Sequence, residues 1–203
     1  MAIHRVSVPK VALLSVYDKA GLASFTKSLL ELGCETILAS SGTAKYLNDK
    51  GIKARDVAEI VGPPILGHRV VTLSREIHAA LLSTKSREDK AELKRLGIPR
   101  IDLVYVNFYP LREEINRKGR TLKSVIEKTD IGGPTLLRSA AKGRRLVITR
   151  PEDLDMVLAF LNGSFGMGQI NKFISHLVAR AEWDVADYCK ASYHFHDEWS
   201  ANQ

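Results

Sequence analysis

The sequence predicts an α/β protein built on a parallel sheet with helices packed against it. Short strand-like runs alternate with segments in which apolar residues recur at helical spacing. Glycines end the first two predicted helices, at Gly33 and Gly51, as is usual at helix C-termini. Strands that alternate with helices in this way are joined by right-handed crossovers and lie parallel to one another.

The amino-terminal part supplies the clearest alternation. Val11–Val16 is an apolar run typical of a buried parallel strand, and Lys19–Leu32 follows with the apolar spacing of a helix that lies on a sheet. We expect a second strand at Glu35–Ala39, a helix at Ala44–Lys50 and a short third strand at Lys53–Val57.

The remainder is predicted to hold two more strands within a series of helices. Ile101–Phe108 is the clearest buried strand of the chain, and Arg145–Thr149 is a further one. The Gly62–Pro64 cluster opens a long irregular connection. The predicted helices are Arg75–Leu82, Arg87–Leu96, Leu122–Lys128, one that begins at Pro134–Thr135, one that begins at Pro151, and Ile170–Ala191. We expect a single domain over residues 1–203, with a helical carboxy-terminal part from about residue 170.

Composition narrows the class of function. The 203 residues carry a formal charge of +7, which favours an anionic partner. Aromatic residues do not interleave with the basic runs, so a phosphorylated small molecule is favoured over nucleic acid. No apolar run is long enough for a membrane span, and no membrane partner is expected. Cys34 and Cys189 form neither a close pair nor a metal-ligand set, which indicates a cytoplasmic protein without a metal site.

The stretch Thr129–Lys142 is the strongest candidate for chemistry. Asp130 precedes the pair Gly132-Gly133, which would let the backbone pass close to another group. The following helix would point its first amides at this turn, a natural place for an anionic or polar ligand. We expect the chain to fold Lys142 back towards Asp130. The alternative, of equal weight, is an ordinary loop capped by Asp130 with a structural Lys142.

Two strand ends supply a second candidate site, because ligands of parallel sheets lie beyond the carboxyl ends of the strands. Ser40–Thr43 offers two serines, a threonine and a glycine at a strand-to-helix turn that suits a phosphate. The alternative is a plain helix cap by Ser40 or Ser41. Lys19 would add charge to the same phosphate, although exposed lysines are commonly only solvated.

Three further side chains suit an anionic transition state. Arg69 has a rigid guanidinium that can clamp an anion, and Tyr109 can donate a hydrogen bond to a developing oxyanion. Asn107 lies with Tyr109 where a sheet-end site would be. Each of these two is more often a structural hydrogen-bonding residue than a catalytic one.

These motifs, in their order along residues 11–188, resemble the inosine monophosphate (IMP) cyclohydrolase domain. That domain is the amino-terminal part of a bifunctional purine-biosynthesis enzyme that also carries a transformylase. The matching segments are Leu14–Val16 with Asp18-Lys19, Ala39–Ala44, Leu66–Leu73, Asn107–Pro110, Asp130–Thr135 and Arg138–Lys142.

The resemblance implies the doubly wound parallel sheet of methylglyoxal synthase-like domains. It also implies a reaction in which formylaminoimidazole carboxamide ribotide closes to IMP and water, with no cofactor and no metal. The family further implies a homodimer. The transformylase domain is expected to be absent from residues 1–203, so a separate transformylase is a candidate partner.

The resemblance also assigns roles to residues. Asp130 would orient or deprotonate the carboxamide with Lys142 as its partner, and Tyr109 and Arg69 would surround the developing charge. The implied substrate-binding residues are Ser15, Lys19, Ser40, Gly42, Thr43, Thr72, Asn107, Ile131, Gly132 and Gly133.

The chain departs from the family pattern at two positions that bear on activity. Val71 stands where the family has a lysine at the reacting centre, and Ser41 stands where it has a glycine. The rival hypothesis is therefore a nucleotide-binding or regulatory module that kept the pocket and lost the reaction.

Overall fold

The computed structural model describes residues 7–67, 69–164 and 167–201. His68, which belongs to the Leu66–Leu73 motif, and the last two residues of the predicted carboxy-terminal helical part lie outside the described residues.

Five parallel strands form one sheet in the order β3-β2-β1-β4-β5. The strands are β1 (Val11–Val16), β2 (Thr36–Ala39), β3 (Arg55–Asp56), β4 (Leu103–Asn107) and β5 (Leu146–Ile148). The order runs outwards from β1 in both directions, so the topological switch point lies between β1 and β4. Their register pairs Leu14 with Tyr105 and Val16 with Asn107, which brings the two carboxyl ends side by side.

Ten α-helices are present in the described part of the chain. They are α1 (Leu22–Glu31), α2 (Ser41–Asp49), α3 (Ala58–Val61), α4 (Arg75–Leu82), α5 (Arg87–Leu96), α6 (Leu111–Asn116), α7 (Leu122–Lys128), α8 (Gly132–Lys142), α9 (Leu154–Leu161) and α10 (Ile170–Ala201). Helix α1 packs against α9, whereas α8 packs against both α4 and α10. The α/β class and the doubly wound parallel sheet are thus confirmed.

The predicted bounds of α4, α5 and α7 are confirmed to the residue. Other predicted bounds differ from the structure. Helix α2 begins at Ser41 instead of Ala44, so part of the predicted strand-to-helix turn lies within it. The helix after the glycine pair begins at Gly132 rather than at Pro134, because both glycines adopt helical backbone. Pro151–Asp153 forms a 3₁₀ turn before α9, and α10 continues to Ala201 instead of ending at Ala191.

Two apolar clusters position the site. The main core encloses the central strands, in which Leu13, Leu14 and Val104 are fully buried. A smaller cluster joins Leu111 of α6 and Val125 of α7 to Tyr188 and Phe195 of α10. This second cluster holds the carboxy-terminal half of α10 against the segments that follow β4.

No helix within the described ranges combines the length and apolar character that a membrane crossing requires. Cys34 is buried and Cys189 is exposed, and neither forms a disulfide.

Candidate active site

Asn107 fastens the two strand ends at the switch point. Its side-chain oxygen accepts hydrogen bonds from the backbone N–H groups of Tyr17 at 2.6 Å and Asp18 at 3.0 Å. Its amide nitrogen donates to the carbonyl of Asp18 at 2.9 Å. Both acceptor positions of the amide oxygen are therefore occupied by the protein. Asn107 shapes the crevice between β1 and β4 rather than presenting a free group to it.

Three side chains form a row across this crevice. The ring centroids of Tyr17 and Tyr109, which follow β1 and β4, lie 5.1 Å apart, and both side chains are about half exposed. Lys128 lies at the end of α7, and its Nζ lies over the Tyr109 ring, 5.8 Å from the ring centroid. Of these three residues, only Tyr109 was predicted from the sequence, since nothing in the pattern marked Tyr17 or Lys128.

The amino terminus of α2 adjoins the end of β1. Thr43 is buried, and its hydroxyl accepts from the N–H of Val16 at 3.1 Å and from the hydroxyl of Ser40 at 3.2 Å. Gly42 differs: a Cβ built there would meet no atom within 4 Å. Packing therefore leaves open space beside Gly42, where the amides of Ser41 and Gly42 lack intrahelical partners, whereas that of Thr43 donates to the carbonyl of Ser40 at 2.8 Å.

Two other predicted phosphate-binding residues lie along β1 and just beyond it. Lys19 donates its ammonium to the carbonyls of Val16 and Tyr17, both at 3.2 Å. Ser15 lies within the strand itself and is half-buried. The ammonium of Lys19 thus places a positive charge at the carboxyl end of β1.

The carboxylate of Asp130 lies against the glycine pair. Its Oδ1 accepts a hydrogen bond from the N–H of Gly133 at 3.0 Å. A Cβ on Gly133 would lie 2.6 Å from Oδ2 of Asp130, and one on Gly132 would lie 2.7 Å from the hydroxyl oxygen of Thr72. The predicted close approach at the glycine pair is confirmed, and the approaching groups are the carboxylate and Thr72.

Burial raises the pKa of the Asp130 carboxyl, while hydrogen bonds from the Gly133 and Gly132 amides act in the opposite direction. The hydrogen bond to Gly133 also gives Asp130 the capping role that the alternative hypothesis described. Oδ1 therefore supports the turn through Gly133, and Oδ2 lies on the side of Gly133 that faces the Phe108 ring.

Tyr188 of α10 fixes the backbone on both sides of Thr129. Its hydroxyl accepts from the N–H of Asp130 at 2.6 Å and donates to the carbonyl of Lys128 at 3.3 Å. Its ring lies 4.7 Å from that of Phe108. Burial raises the pKa of Tyr188 to about 12, so the phenol keeps its proton near neutral pH. No sequence signal could have linked Tyr188 to Asp130, which precedes it by 58 residues.

The remaining predicted residues are placed differently. Lys142 is exposed in the last turn of α8, and the helix separates it from Asp130 by about 15 Å at 1.5 Å per residue. The predicted pairing of Lys142 with Asp130 is wrong for this chain. Arg69 is exposed and has no hydrogen-bond or ion-pair partner among the described residues. Ile131 is also exposed, whereas Val71 packs against the core.

Comparison with known proteins identifies relatives of this chain. Residues 21–135 match the family described as MGS-like domain. The chain is 46% identical over 152 residues to the bifunctional purine biosynthesis protein PurH of Caldicellulosiruptor bescii, a match that covers 73% of this chain and 29% of that protein. It is 44% identical over 186 residues to PurH of Oenococcus oeni, covering 88% of this chain and 35% of that protein.

A solved structure is similar over almost the whole chain. The crystal structure of ForH superposes with a TM-score of 0.77 at 30% sequence identity, covering 94% of this chain and 100% of that one. The chain spans about a third of the length of the PurH proteins it matches.

Proposed function

This chain belongs to the MGS-like domain family and is homologous to PurH proteins, and from that premise we propose that it is an IMP cyclohydrolase of purine biosynthesis. The proposed substrate is formylaminoimidazole carboxamide ribotide, and the products are IMP and water. The observation that carries the proposal is the half-buried carboxylate of Asp130, whose Oδ1 accepts from Gly133 while Oδ2 takes no part in that bond and lies beside Gly133.

The proposed reaction forms one carbon–nitrogen bond and removes one molecule of water. The carboxamide nitrogen attacks the formyl carbon, and the carbonyl electron pair moves onto the formyl oxygen. Asp130 takes a proton from the attacking nitrogen, and this proton passes to the oxygen. The C–O bond then breaks as the electron pair of the formamide nitrogen forms the C=N double bond of the ring, and the N–H of that nitrogen supplies the second proton of the water. A carboxylate whose pKa is raised by burial is a stronger base than an exposed one, which suits this role.

The amino terminus of α2 is the proposed phosphate site. Open space beside Gly42, the unpaired amides of Ser41 and Gly42 and the nearby ammonium of Lys19 all favour a dianion there. Contacts through Val16, Asn107 and Tyr109 connect this terminus to the row of side chains across the crevice. A substrate anchored at its phosphate would thus have its heterocycle directed along the crevice, and positioning of this kind contributes strongly to ring closure.

Ultraviolet absorbance on mixing the protein with the formylated substrate tests the proposal, because ring closure changes the chromophore. We expect turnover by the wild type and its loss in Asp130→Asn. The same measurement on Asp155→Asn, an exposed acid of α9, separates a general effect of removing a carboxylate charge from an effect at Asp130.

One observation favours a second candidate function, a nucleotide-binding module without turnover. The side chain of Val71, where the family has a lysine, packs against the core and can neither donate a hydrogen bond nor carry charge. A rise in the melting temperature with IMP, together with no change in substrate absorbance, would support this module and exclude the enzyme.

A further inference from the structure

We propose that Lys128 supplies the positive charge that stabilises the anion formed during ring closure, an inference that rests on the proposed function. The observation behind it is the row Tyr17, Tyr109 and Lys128 across the switch point. The ammonium of Lys128 lies 5.8 Å from the centroid of the Tyr109 ring, and Lys128 precedes Asp130 by two residues in the chain.

The backbone of Lys128 is held in place rather than free to move with an exposed loop. The buried phenol of Tyr188 binds the carbonyl of Lys128 and the N–H of Asp130 at the same time. The base and the cation therefore leave the backbone two residues apart, from a segment that one hydroxyl fixes at both ends. A cation and a base that are held together in this way can act on the two ends of the same reacting group.

The ammonium of Lys128 is also uncommitted. It forms no ion pair with any residue in the described ranges, although its charge helps to lower the pKa of Glu114. The other candidate cations differ from it. Lys19 is bonded to two carbonyls at the end of β1, and Lys142 lies at the far end of α8. Arg69 is unpaired but makes no described contact with the row.

The chemistry at this site creates the need for such a charge. When the nitrogen attacks the formyl carbon, negative charge develops on the formyl oxygen before that oxygen is protonated. A preorganised cation aimed at this position stabilises the transition state more than the ground state. Val71 is apolar and cannot meet this need, whereas among the described residues the ammonium of Lys128 lies over the Tyr109 ring.

The test compares Lys128→Met with Lys123→Met, an exposed lysine on the same helix. We expect Lys128→Met to lower kcat by roughly 10²-fold, as removal of one oxyanion donor does, with KM within a few-fold. Lys123→Met should turn over like the wild type. Lys128→Arg should keep much of the activity, because it keeps the charge. Adding Val71→Lys to Lys128→Met should restore kcat at least tenfold.

A second measurement does not depend on turnover. Both nucleotides carry the same phosphate. Near pH 8 the purine of xanthosine monophosphate carries a negative charge, whereas the purine of IMP is largely neutral. We expect the wild type to be stabilised more by xanthosine monophosphate than by IMP, and this preference to disappear in Lys128→Met but not in Lys123→Met.

The outcomes separate the two proposals. A wild type that closes no ring overturns the proposed function, yet the preference between the two nucleotides still tests Lys128. Equal kcat in Lys128→Met and Lys123→Met, or an unchanged nucleotide preference, overturns the role of Lys128. A loss of kcat that neither Lys128→Arg nor Val71→Lys repairs would also overturn it, because that result indicates a structural effect.

Discussion

The hydroxyl of Tyr188 accepts the backbone N–H of Asp130 at 2.6 Å, and this bond joins α10 to the proposed base. Tyr188 is buried among Phe108 and the small cluster formed by α6 and α7. A long carboxy-terminal helix thereby determines where a carboxylate on another segment lies.

Removal of this hydroxyl should affect activity more than stability. Tyr188→Phe keeps the ring packing and deletes two hydrogen bonds, each contributing about 1 kcal/mol net. We expect a fall in melting temperature of a few degrees and a fall in kcat of tenfold or more, because Asp130 and Lys128 lose their shared anchor. Tyr193→Phe, on an exposed face of α10, is the control. Unchanged kcat in Tyr188→Phe would show that the anchor does not matter for turnover.

Asp130→Asn should affect stability and activity in different ways. The direction of the stability change follows from the raised pKa of the Asp130 carboxyl. The folded protein holds this proton to higher pH than the unfolded chain does, so its contribution to stability falls as pH rises through the window between the two pKa values. Asparagine carries no buried charge and can still accept from Gly133. Above that window we expect a melting temperature equal to or above that of the wild type, with the difference vanishing at lower pH.

The wild-type kcat should depend on pH in the opposite direction to stability. Only the ionised carboxylate can accept a proton, so wild-type kcat should decline as pH falls through the raised pKa of Asp130. Asp130→Asn should lower kcat by roughly 10²–10⁴-fold and show no such decline. A pH–rate profile of both proteins, with melting curves at the same pH values, provides the measurement. Retained kcat in the variant would leave Asp130 with a capping role alone.

Gly42→Ala should weaken nucleotide binding without harming the fold. A methyl group there meets no protein atom within 4 Å, and alanine in a helix is favoured over glycine by up to about 1 kcal/mol. We expect an unchanged or higher melting temperature without ligand and a smaller increase on addition of IMP. Inosine, which lacks the phosphate, serves as the control ligand. An undiminished increase with IMP would exclude the amino terminus of α2 as the phosphate site.

Gly133→Ala is the matched substitution in the first turn of α8, and it should have the opposite effect on stability. Its Cβ would lie 2.6 Å from Oδ2 of Asp130 and 3.1 Å from the Phe108 ring. Either the carboxylate or the ring must move, at a cost of about 1–3 kcal/mol. The melting temperature and kcat should therefore both decrease. A variant as stable as Gly42→Ala would show that the carboxylate has room to move.

The prediction of the fold from sequence succeeded where local patterns decide the structure. Helices α4 and α7 begin after Ser74 and Thr121, whose side chains cap them. The spacing of apolar residues within each helix predicted where it ends. The short helices α3 and α6 were not predicted, because segments of four and six residues are too short to show the periodic apolar spacing of a helix.

The site was predictable only in part, for a similar reason. Asp130 and its glycine pair are neighbours in sequence, so the close approach between them could be inferred. The contacts of Tyr188 with Asp130 and of Lys128 with Tyr109 depend on how distant segments pack, which no local pattern encodes. The proposed pairing with Lys142 failed because the glycines continue the helix and carry that lysine away.

The position of Tyr188 within the chain also has a consequence for biosynthesis. All five strands are complete once Ile148 has been made, whereas the phenol that anchors Asp130 lies in the helix that follows α9. On the ribosome, the sheet can therefore assemble before the proposed base acquires its anchor. The order of synthesis makes the anchoring of Asp130 a late event in the maturation of this protein, later than the folding of the scaffold that carries it.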